Sequence, residues 1–189
     1  SAGHCAGEGD QRAVAQRVSA AGNVHAAYIG LDVHKVSISV AIAEIGRQAP
    51  EFRGEIPNEP KAIDKLVRQL SERFAGQPLL FSYEAGPCGY GIYHQVQASG
   101  HDCEVVAPTL IPQRAGDRIK TDRRDAQMLA RLSRSGELTP VWVPTPEQEA
   151  IRDLTRARED MKAGELRARQ RLNAFLLRHS KIYPSKSKW

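Results

Sequence analysis

Alternating apolar and polar residues predict strands where the patterned part of the chain begins. In "YIGLDVHKVSISVAIAEIG", apolar residues recur at every second position over residues 29–33 and again over residues 36–42. A period of two is typical of strands that bury one face, so we expect two strands here. The following "PEFRGEI" predicts a third, weaker strand, and Pro50 and Gly54 favour a position at the edge of the sheet.

Helical and strand patterns then alternate along the chain. "KAIDKLVRQLSERF" predicts a helix that begins near Asn58 and Pro60. Its core-facing residues are Ile63, Leu66, Val67 and Leu70. "PLLFSYE" and "CEVVAP" are typical of buried strands, with "GPCGYG" and a helix over residues 92–98 between them. A further helix is predicted in "KTDRRDAQMLARLSR". Three strands, a helix and then strand–helix–strand–helix is the order of a ribonuclease-H-like α/β fold, a mixed sheet with flanking helices.

The last part of the chain has a helical pattern without interruption over residues 145–179. Its apolar residues recur at steps of three and four in an imperfect heptad register, which Arg158 and Glu165 interrupt. These apolar residues are Ile151, Leu154, Met161, Ala168, Leu172 and Phe175. We therefore expect an α-helical coiled-coil extension that buries this seam in a helical hairpin or against a partner chain. Gly164 could bend or split the helix.

These patterns divide the chain into three predicted parts. Residues 1–27 are small, polar and aperiodic and do not begin with Met, so we expect a flexible leader or a cloning remnant. Residues 28–144 form the predicted ribonuclease-H-like domain, and residues 145–189 form the helical coiled-coil region. No apolar run approaches the ~18–20 residues that span a membrane, and the chain does not open on a signal peptide. Three cysteines without metal-ligand spacing favour a reducing, cytosolic setting.

The excess positive charge lies in the last quarter of the chain. Residues 144–189 hold 11 Lys and Arg against 6 Asp and Glu, whereas the other 143 residues hold 16 of each. A net charge of +5 that is confined to the helical region favours a polyanionic partner. A charge-rich helix with a solvated face is the alternative interpretation.

Two aspartates stand at the end of an apolar helical stripe. On a helical wheel of "KTDRRDAQMLARLSR", Asp122 and Asp125 fall on the apolar side rather than the charged side. The apolar residues of this stripe are Ala126, Leu129 and Leu132. A buried carboxylate without a partner normally neutralises, pairs or binds a metal. Alternatively, Thr121 or Asp122 caps the helix and the helix dipole favours Asp125.

Two further acids are expected near this helix. Asp32 lies in the first strand, and Glu84 ends "LLFSYE". Sites in α/β sheets gather at the carboxyl ends of strands, and the first and fourth strands of a ribonuclease-H-like sheet are neighbours. The fold would thus bring these acids together with Asp122 and Asp125. Such an all-oxygen ligand set suits Mg²⁺ or Mn²⁺, and two ions about 4 Å apart would serve an in-line phosphoryl displacement.

Three ordered segments carry a family resemblance. "YIGLDVHK", "YEAGPCGYG" and "KTDRRDAQMLARL" together resemble the signature of the DEDD-type transposases of bacterial insertion sequences, the insertion sequence 110 family. The similarity runs from about residue 28 to at least residue 179. It implies a RuvC-like N-terminal domain whose four catalytic acids bind Mg²⁺, followed by a coiled-coil region. Carried onto this sequence, the catalytic and metal-binding acids are Asp32, Glu84, Asp122 and Asp125.

The resemblance also implies partners and a reaction. In this family, a C-terminal domain supplies a nucleophilic serine, and a structured bridge RNA guides metal-dependent cleavage and exchange of DNA strands. We therefore expect the protein to bind DNA and a guide RNA. We also expect it to form a homo-oligomer, a dimer or tetramer, through the C-terminal helices. Its expected location is the cytoplasm of a bacterium, at the nucleoid. Because the chain stops at Trp189, we expect an N-terminal fragment or a truncated gene product without the serine domain. We assign no nucleophilic role to Ser133, Ser135 or Ser180.

Several basic residues are candidates for contacts with nucleic acid. His34 and Lys35 follow Asp32 closely enough to reach a phosphate or a metal-bound water, although a plain turn is the alternative. The other candidates are Arg118, Lys120, Arg123, Arg124, Arg156, Arg158, Arg167, Arg169 and Arg171. For each of these, phosphate contact competes with a solvated surface position.

Three other functions are compatible with parts of the pattern. A RuvC-like nuclease or resolvase acting alone would use the same acids to cut DNA through water. A non-catalytic fragment would only bind RNA and self-associate through residues 145–179. An actin-like or sugar-kinase-like ATPase is disfavoured, because its phosphate hairpin needs small residues where Val33, His34 and Lys35 stand.

Overall fold

The structure is a computed structural model, and it describes residues 25–111 and 121–182. Contacts divide the chain into two units, with the boundary between Val143 and Pro144. The predicted leader, residues 1–27, lies almost wholly outside the described residues. No helix of the described ranges is long and apolar enough to cross a membrane.

The first unit contains five strands and three α-helices in the described ranges. The strands are β1 (Ala27–Val33), β2 (Ser37–Glu44), β3 (Glu51–Pro57), β4 (Leu79–Glu84) and β5 (Asp102–Val106). The helices are α1 (Pro60–Arg73), α2 (Gly91–Ala98) and α3 (Asp122–Ser135), with a 3₁₀ turn at Pro108–Leu110. Each strand and helix predicted from the periodicity is present in the predicted order.

The strands form one mixed sheet in the order β3-β2-β1-β4-β5. β1 pairs antiparallel with β2, and β2 pairs antiparallel with β3, whereas β4 is parallel to both β1 and β5. This is the ribonuclease-H-like topology, so the predicted fold class is confirmed. β3 is the edge strand that its Pro and Gly predicted, and its pairing with β2 shifts register between Val40 and Ala41.

One hydrophobic core joins the sheet to α1 and α2. The stripe predicted for α1, Ile63, Leu66, Val67 and Leu70, is buried in it. Alternate residues of the strands face this core, including Ile29 and Leu31 of β1 and Phe81 and Tyr83 of β4. Their burial explains the strict alternation of β1 and β2, because each second side chain of a strand points to the same face of the sheet.

The helix α3 packs against β1 and β2. Thr121 is its N-cap, because the backbone N of Arg124 donates to the Thr121 Oγ1 over 3.4 Å. Gly136 ends the helix in the left-handed region, at φ 70°. The cap interpretation is therefore correct for Thr121 and not for Asp122. The buried residues of α3 are Ala126, Leu129, Ala130, Leu132 and Ser133.

Gly30 allows the backbone of α3 to approach β1 directly. A Cβ atom at Gly30 would lie 2.2 Å from the carbonyl oxygen of Ala126 and 2.5 Å from the amide nitrogen of Ala130. No side chain fits this space, since both neighbours are backbone atoms of a packed helix. The short side chains of Ala126 and Ala130 complete the contact, and all three residues are buried.

The second unit contains one long helix, α4 (Pro146–Arg178), of 33 residues. Thr145 opens it with a capping box, in which Thr145 and Gln148 each accept from the backbone amide of the other. Gly164 does not split the helix into separate elements. None of the side chains of α4 is buried, and large apolar ones such as Leu154 and Phe175 are exposed. The coiled coil therefore stays a prediction.

We expect Gly30→Ala to lower the free energy of unfolding by about 2 kcal/mol or more, because α3 must move away from the sheet to admit one methyl group. Urea unfolding of the two proteins measures this difference. Gly91→Ala is the matched control, since a Cβ atom at Gly91 meets nothing within 4 Å. At this first residue of α2, the same change should be neutral or slightly stabilising. Equal stabilities of the two variants would contradict the close approach.

Candidate metal centre

The carboxyl ends of β1 and β4 place two acids side by side. The paired residues of these parallel strands end with Leu31 opposite Tyr83, and Asp32 and Glu84 are the next residues of the two strands. Neighbouring strands lie about 4.8 Å apart. Both carboxylates therefore stand at the same edge of the sheet, where the chain turns away. Both side chains are partly buried.

The first turn of α3 and the turn after β1 bring further donors to Asp32. The Nε2 atom of His34 lies 3.1 Å from Asp32 Oδ2 and 3.5 Å from Asp122 Oδ1. One donor atom from each of these three residues lies within 4.8 Å of the others. Among residues 25–111 and 121–182, this is where three such side chains converge closely enough to share a metal ion.

Two of the four predicted acids, Asp32 and Asp122, belong to this group of three. Asp125 lies near enough to act electrostatically on Asp32, and Glu84 ends the adjacent strand, but neither belongs to the close set. Asp122 is also less enclosed than its place on the apolar stripe predicted, because 58% of its side chain is exposed, against 17% for Asp32. His34, predicted as a nucleic-acid contact, contacts two of these acids, and its contact with nucleic acid stays a prediction.

The charges in this group shift the pKa values of their neighbours. Burial raises the pKa of Asp32 above its ordinary value, while His34 opposes the rise and the charges of Asp125 and Asp122 add to it. The negative charge of Asp32 in turn raises the pKa of His34. An imidazolium thus offsets part of the repulsion among the acids. A divalent cation would offset more of it, and two or more carboxylates with one imidazole suit Mg²⁺, Mn²⁺ or a later first-row ion.

Asn58 holds the turn that carries His34. Its Nδ2 donates to the carbonyl oxygen of His34 over 2.8 Å, and its backbone N donates to the carbonyl of Val36 over 3.0 Å. The backbone N of His34 donates to Ser37 O over 2.8 Å. Sequence reasoning used Asn58 only as a helix-opening residue. The contact spans 24 residues, so no local pattern could have revealed it.

A buried polar cluster anchors the other end of α3. Ser82 of β4 and Ser133 of α3 donate to the same carboxylate oxygen, Oε1 of Glu104 in β5, over 2.6 Å and 3.0 Å. The two serine oxygens are 2.7 Å apart. Burial raises the pKa of Glu104, against the effect of the two donors. Sequence reasoning missed this cluster, although one polar residue inside each of "LLFSYE" and "CEVV" was a signal.

The remaining basic candidates occupy different surroundings. Lys35 is exposed, and the guanidinium of Arg123 lies over the Phe52 ring, 5.3 Å from its centroid. In α4, Arg156 lies 3.8 Å from Asp153 and Arg169 pairs with Glu165. The other candidates on exposed positions are Arg124, Arg158, Arg167 and Arg171. Arg118 and Lys120 lie outside the described residues. A role in nucleic-acid binding stays a prediction for each of them.

Comparison with known families identifies the chain's relatives. The model of the IS110-type DEDD transposases, described as "Transposase", matches residues 29–181. The chain belongs to this family. The predicted resemblance is confirmed, and the convergence of Asp32 and Asp122 falls within the matched segment.

Two transposases show how much of the family protein this chain represents. A protein of Sinorhizobium fredii, assigned as transposase y4qE, is 47% identical over 164 residues, which cover 86% of this chain and 42% of the relative. The transposase for insertion sequence element IS1533 of Leptospira borgpetersenii is 36% identical over 164 residues, which cover 86% of this chain and 47% of the relative. The chain therefore spans less than half the length of either relative.

Two solved nuclease structures share weak similarity with this fold. RuvC of T. thermophilus in complex with a Holliday junction has a TM-score of 0.39 and 12% identity, covering 62% of this chain and 100% of RuvC. The large terminase nuclease of the thermophilic phage G20c has a TM-score of 0.35 and 14% identity, covering 60% and 56% of the two chains. The strand order and the family match, rather than these two similarities, carry the fold assignment.

We expect Glu104→Gln to change how stability depends on pH. Because burial raises the pKa of Glu104, its contribution to folding is fully present below the ordinary value of 4.5 and is lost as the pH rises through the raised value. Gln does not titrate, so the free energy of unfolding of the variant relative to the parent should increase as the pH rises above 4.5. Unfolding at several pH values measures this difference.

The control for this experiment is Glu55→Gln, which removes one exposed carboxylate of β3. Its unfolding free energy should follow the parent across the same pH range. If the free energy of unfolding of Glu104→Gln also followed the parent across this pH range, the pKa of Glu104 would not be raised in the folded protein.

Proposed function

We propose that this chain is the metal-binding catalytic segment of an IS110-family transposase that cleaves and exchanges DNA strands in a metal-dependent reaction. The convergence of Asp32, His34 and Asp122 at the strand ends carries this proposal. It supports the role because closely spaced donors with coupled charges favour a bound divalent cation. Membership of the IS110-type transposase family supports DNA as the substrate.

The acids of this edge have distinct parts in the proposed reaction. Asp32 and Asp122 would hold the cation most directly, and Asp125 and Glu84 are proposed to complete the four-acid set. Mg²⁺ or Mn²⁺, when bound, would stabilise negative charge on the attacking and leaving oxygens of a phosphoryl transfer. Asp32 supplies a partly buried, well-fixed carboxylate, whereas the exposed Asp122 leaves the centre open to a DNA strand.

The second unit supports two further proposals about partners. Its exposed arginines and net positive charge support binding of a structured guide RNA, and its exposed apolar seam supports self-association of α4 into a dimer or tetramer. Recombination as a whole, including the nucleophilic serine and guidance by RNA, is proposed for a full-length family protein acting at the bacterial nucleoid in the cytoplasm.

The test of the metal centre is the double variant Asp122→Ala/Asp125→Ala. We expect calorimetry to show Mn²⁺ binding by the parent and none by the variant, because two of the four acids are gone. In metal-free buffer, the melting temperature should be unchanged or higher, since removing carboxylates relieves their mutual repulsion. The matched control is Asp153→Ala/Asp160→Ala, which removes two exposed aspartates from α4 and should leave Mn²⁺ affinity intact.

Two results would contradict this role of the acids. Undiminished Mn²⁺ affinity in the Asp122→Ala/Asp125→Ala variant would remove the site. A large loss of stability in metal-free buffer would show instead that the two aspartates serve the first turn of α3, where the helix dipole favours acids.

Paired variants of α4 separate its two proposed contacts. Leu154→Gln/Leu172→Gln interrupts the apolar seam, and we expect light scattering to show a smaller assembly because less apolar surface is available for burial. Arg167→Gln/Arg171→Gln is the control and should keep the assembly of the parent. This second variant should instead flatten the dependence of RNA affinity on salt, by about 0.7–0.9 in the log–log slope per lost phosphate contact.

The outcomes for the apolar seam of α4 and for its arginines are independent of each other. If the seam variant and the parent had the same mass in solution, the exposed apolar residues would not be an interface. If the arginine variant and the parent had the same salt slope, this face of α4 would be a solvated surface.

A further inference from the structure

The imidazole of His34 is hydrogen-bonded to the carboxylate of Asp32 and lies near that of Asp122. Its Nε2 atom is 3.1 Å from Asp32 Oδ2 and 3.5 Å from Asp122 Oδ1. Adjacent ligands of an octahedral ion with bonds of about 2.1 Å lie about 3 Å apart. The two separations from His34 Nε2 are therefore close to this spacing, and all three donor atoms lie within 4.8 Å of one another.

The position of this imidazole is fixed from its backbone. The N–H of His34 is bonded to Ser37 O, and its carbonyl oxygen accepts from Asn58 Nδ2, both over 2.8 Å. The side chain is 49% exposed, and the hydrogen bond of its Nε2 to Asp32 favours one rotamer. Because both backbone polar groups are held, the side chain leaves the turn from a constant point and reaches the two acids.

A nitrogen ligand changes which cations a carboxylate site prefers. Oxygen ligands alone suit Mg²⁺, whereas imidazole suits first-row transition ions, whose affinity for such sites rises from Mn²⁺ towards Co²⁺. Histidine is also the most common protein ligand of these ions. A site of two or more carboxylates and one imidazole thus has a different selectivity from a site of four carboxylates.

We propose that His34, after releasing its Nε2 proton to solvent, is a nitrogen ligand of this centre and that it shifts the preference of the centre from Mg²⁺ towards Mn²⁺ and later first-row divalent ions. The proposal rests on the metal centre proposed above and adds a specificity-determining residue to it. His34 would be a ligand here rather than a contact to phosphate.

The test compares the affinities of the full 189-residue chain for Mg²⁺, Mn²⁺ and Co²⁺ with those of His34→Gln. Gln keeps a polar group near the Nε2 position without an imidazole nitrogen. We expect His34→Gln to weaken Co²⁺ binding about tenfold or more and Mg²⁺ binding by less than about threefold, with Mn²⁺ between them. Calorimetry in a buffer without nitrogen ligands measures the three affinities.

A spectroscopic readout tests ligation directly. Electron spin-echo modulation of bound Mn²⁺ should show coupling to a directly bound nitrogen in the parent, and His34→Gln should lose it. Lys35→Gln is the matched control, because it removes a neighbouring exposed charge without removing a ligand. It should keep the nitrogen coupling and change the three affinities by one common factor.

The variant Asp32→Asn separates the two levels of the proposal. If the parent bound none of the three ions, or bound them as well as Asp32→Asn does, the metal centre itself would be overturned. If Asp32→Asn abolished binding while His34→Gln left the ratio of affinities and the nitrogen coupling unchanged, only the role of His34 would be overturned.

Discussion

The direct contact between the backbone of α3 and Gly30 of β1 is the constraint on which the candidate centre depends. With any side chain at position 30, the helix would lie farther from the sheet, because its carbonyl and amide groups occupy the place of a Cβ atom. The distance between α3 and the sheet sets how far the first turn of α3 lies from the end of β1. Asp122 can meet the turn after Asp32 because α3 lies flat on the strand. A glycine two residues before the acid thus controls the geometry of the site.

The two ends of α3 show opposite solutions to the burial of carboxylates. Glu104 is satisfied within the protein, because two serine hydroxyls donate to one of its oxygens. Such a closed cluster fixes the helix relative to β4 and β5, since moving α3 would leave a buried acid without its donors. At the other end, the imidazole of His34 offsets only part of the repulsion between Asp32 and the neighbouring Asp122 and Asp125, and this group of side chains is open to solvent. The first cluster holds the helix in place, and the second is available to a cation.

Local patterns in the sequence were sufficient for the fold, and they singled out Asp32 and Asp122, which the structure brings together. The strands, the buried stripe of α1 and the stripe of α3 follow from periodicity, which depends on neighbouring residues. The contact of His34 with Asp122, the hydrogen bond of Asn58 to the turn and the Ser82–Glu104–Ser133 cluster depend instead on tertiary contacts across 22 to 88 residues. The same limit made Asp122 seem more buried than it is, because a helical wheel does not show where the sheet ends.

The candidate centre and the apolar seam of α4 belong to separate parts of the chain with different requirements. Among the described residues, the groups of the candidate centre come from β1, the turn after it, β4 and α3, all in the first unit. The helix α4 has a capping box and an ion pair between Glu165 and Arg169, which stabilise it locally, but it buries none of its own residues. Exposed leucines at heptad spacing gain stability only when another apolar surface covers them. The proposed self-association through α4 therefore uses none of the residues of the candidate centre.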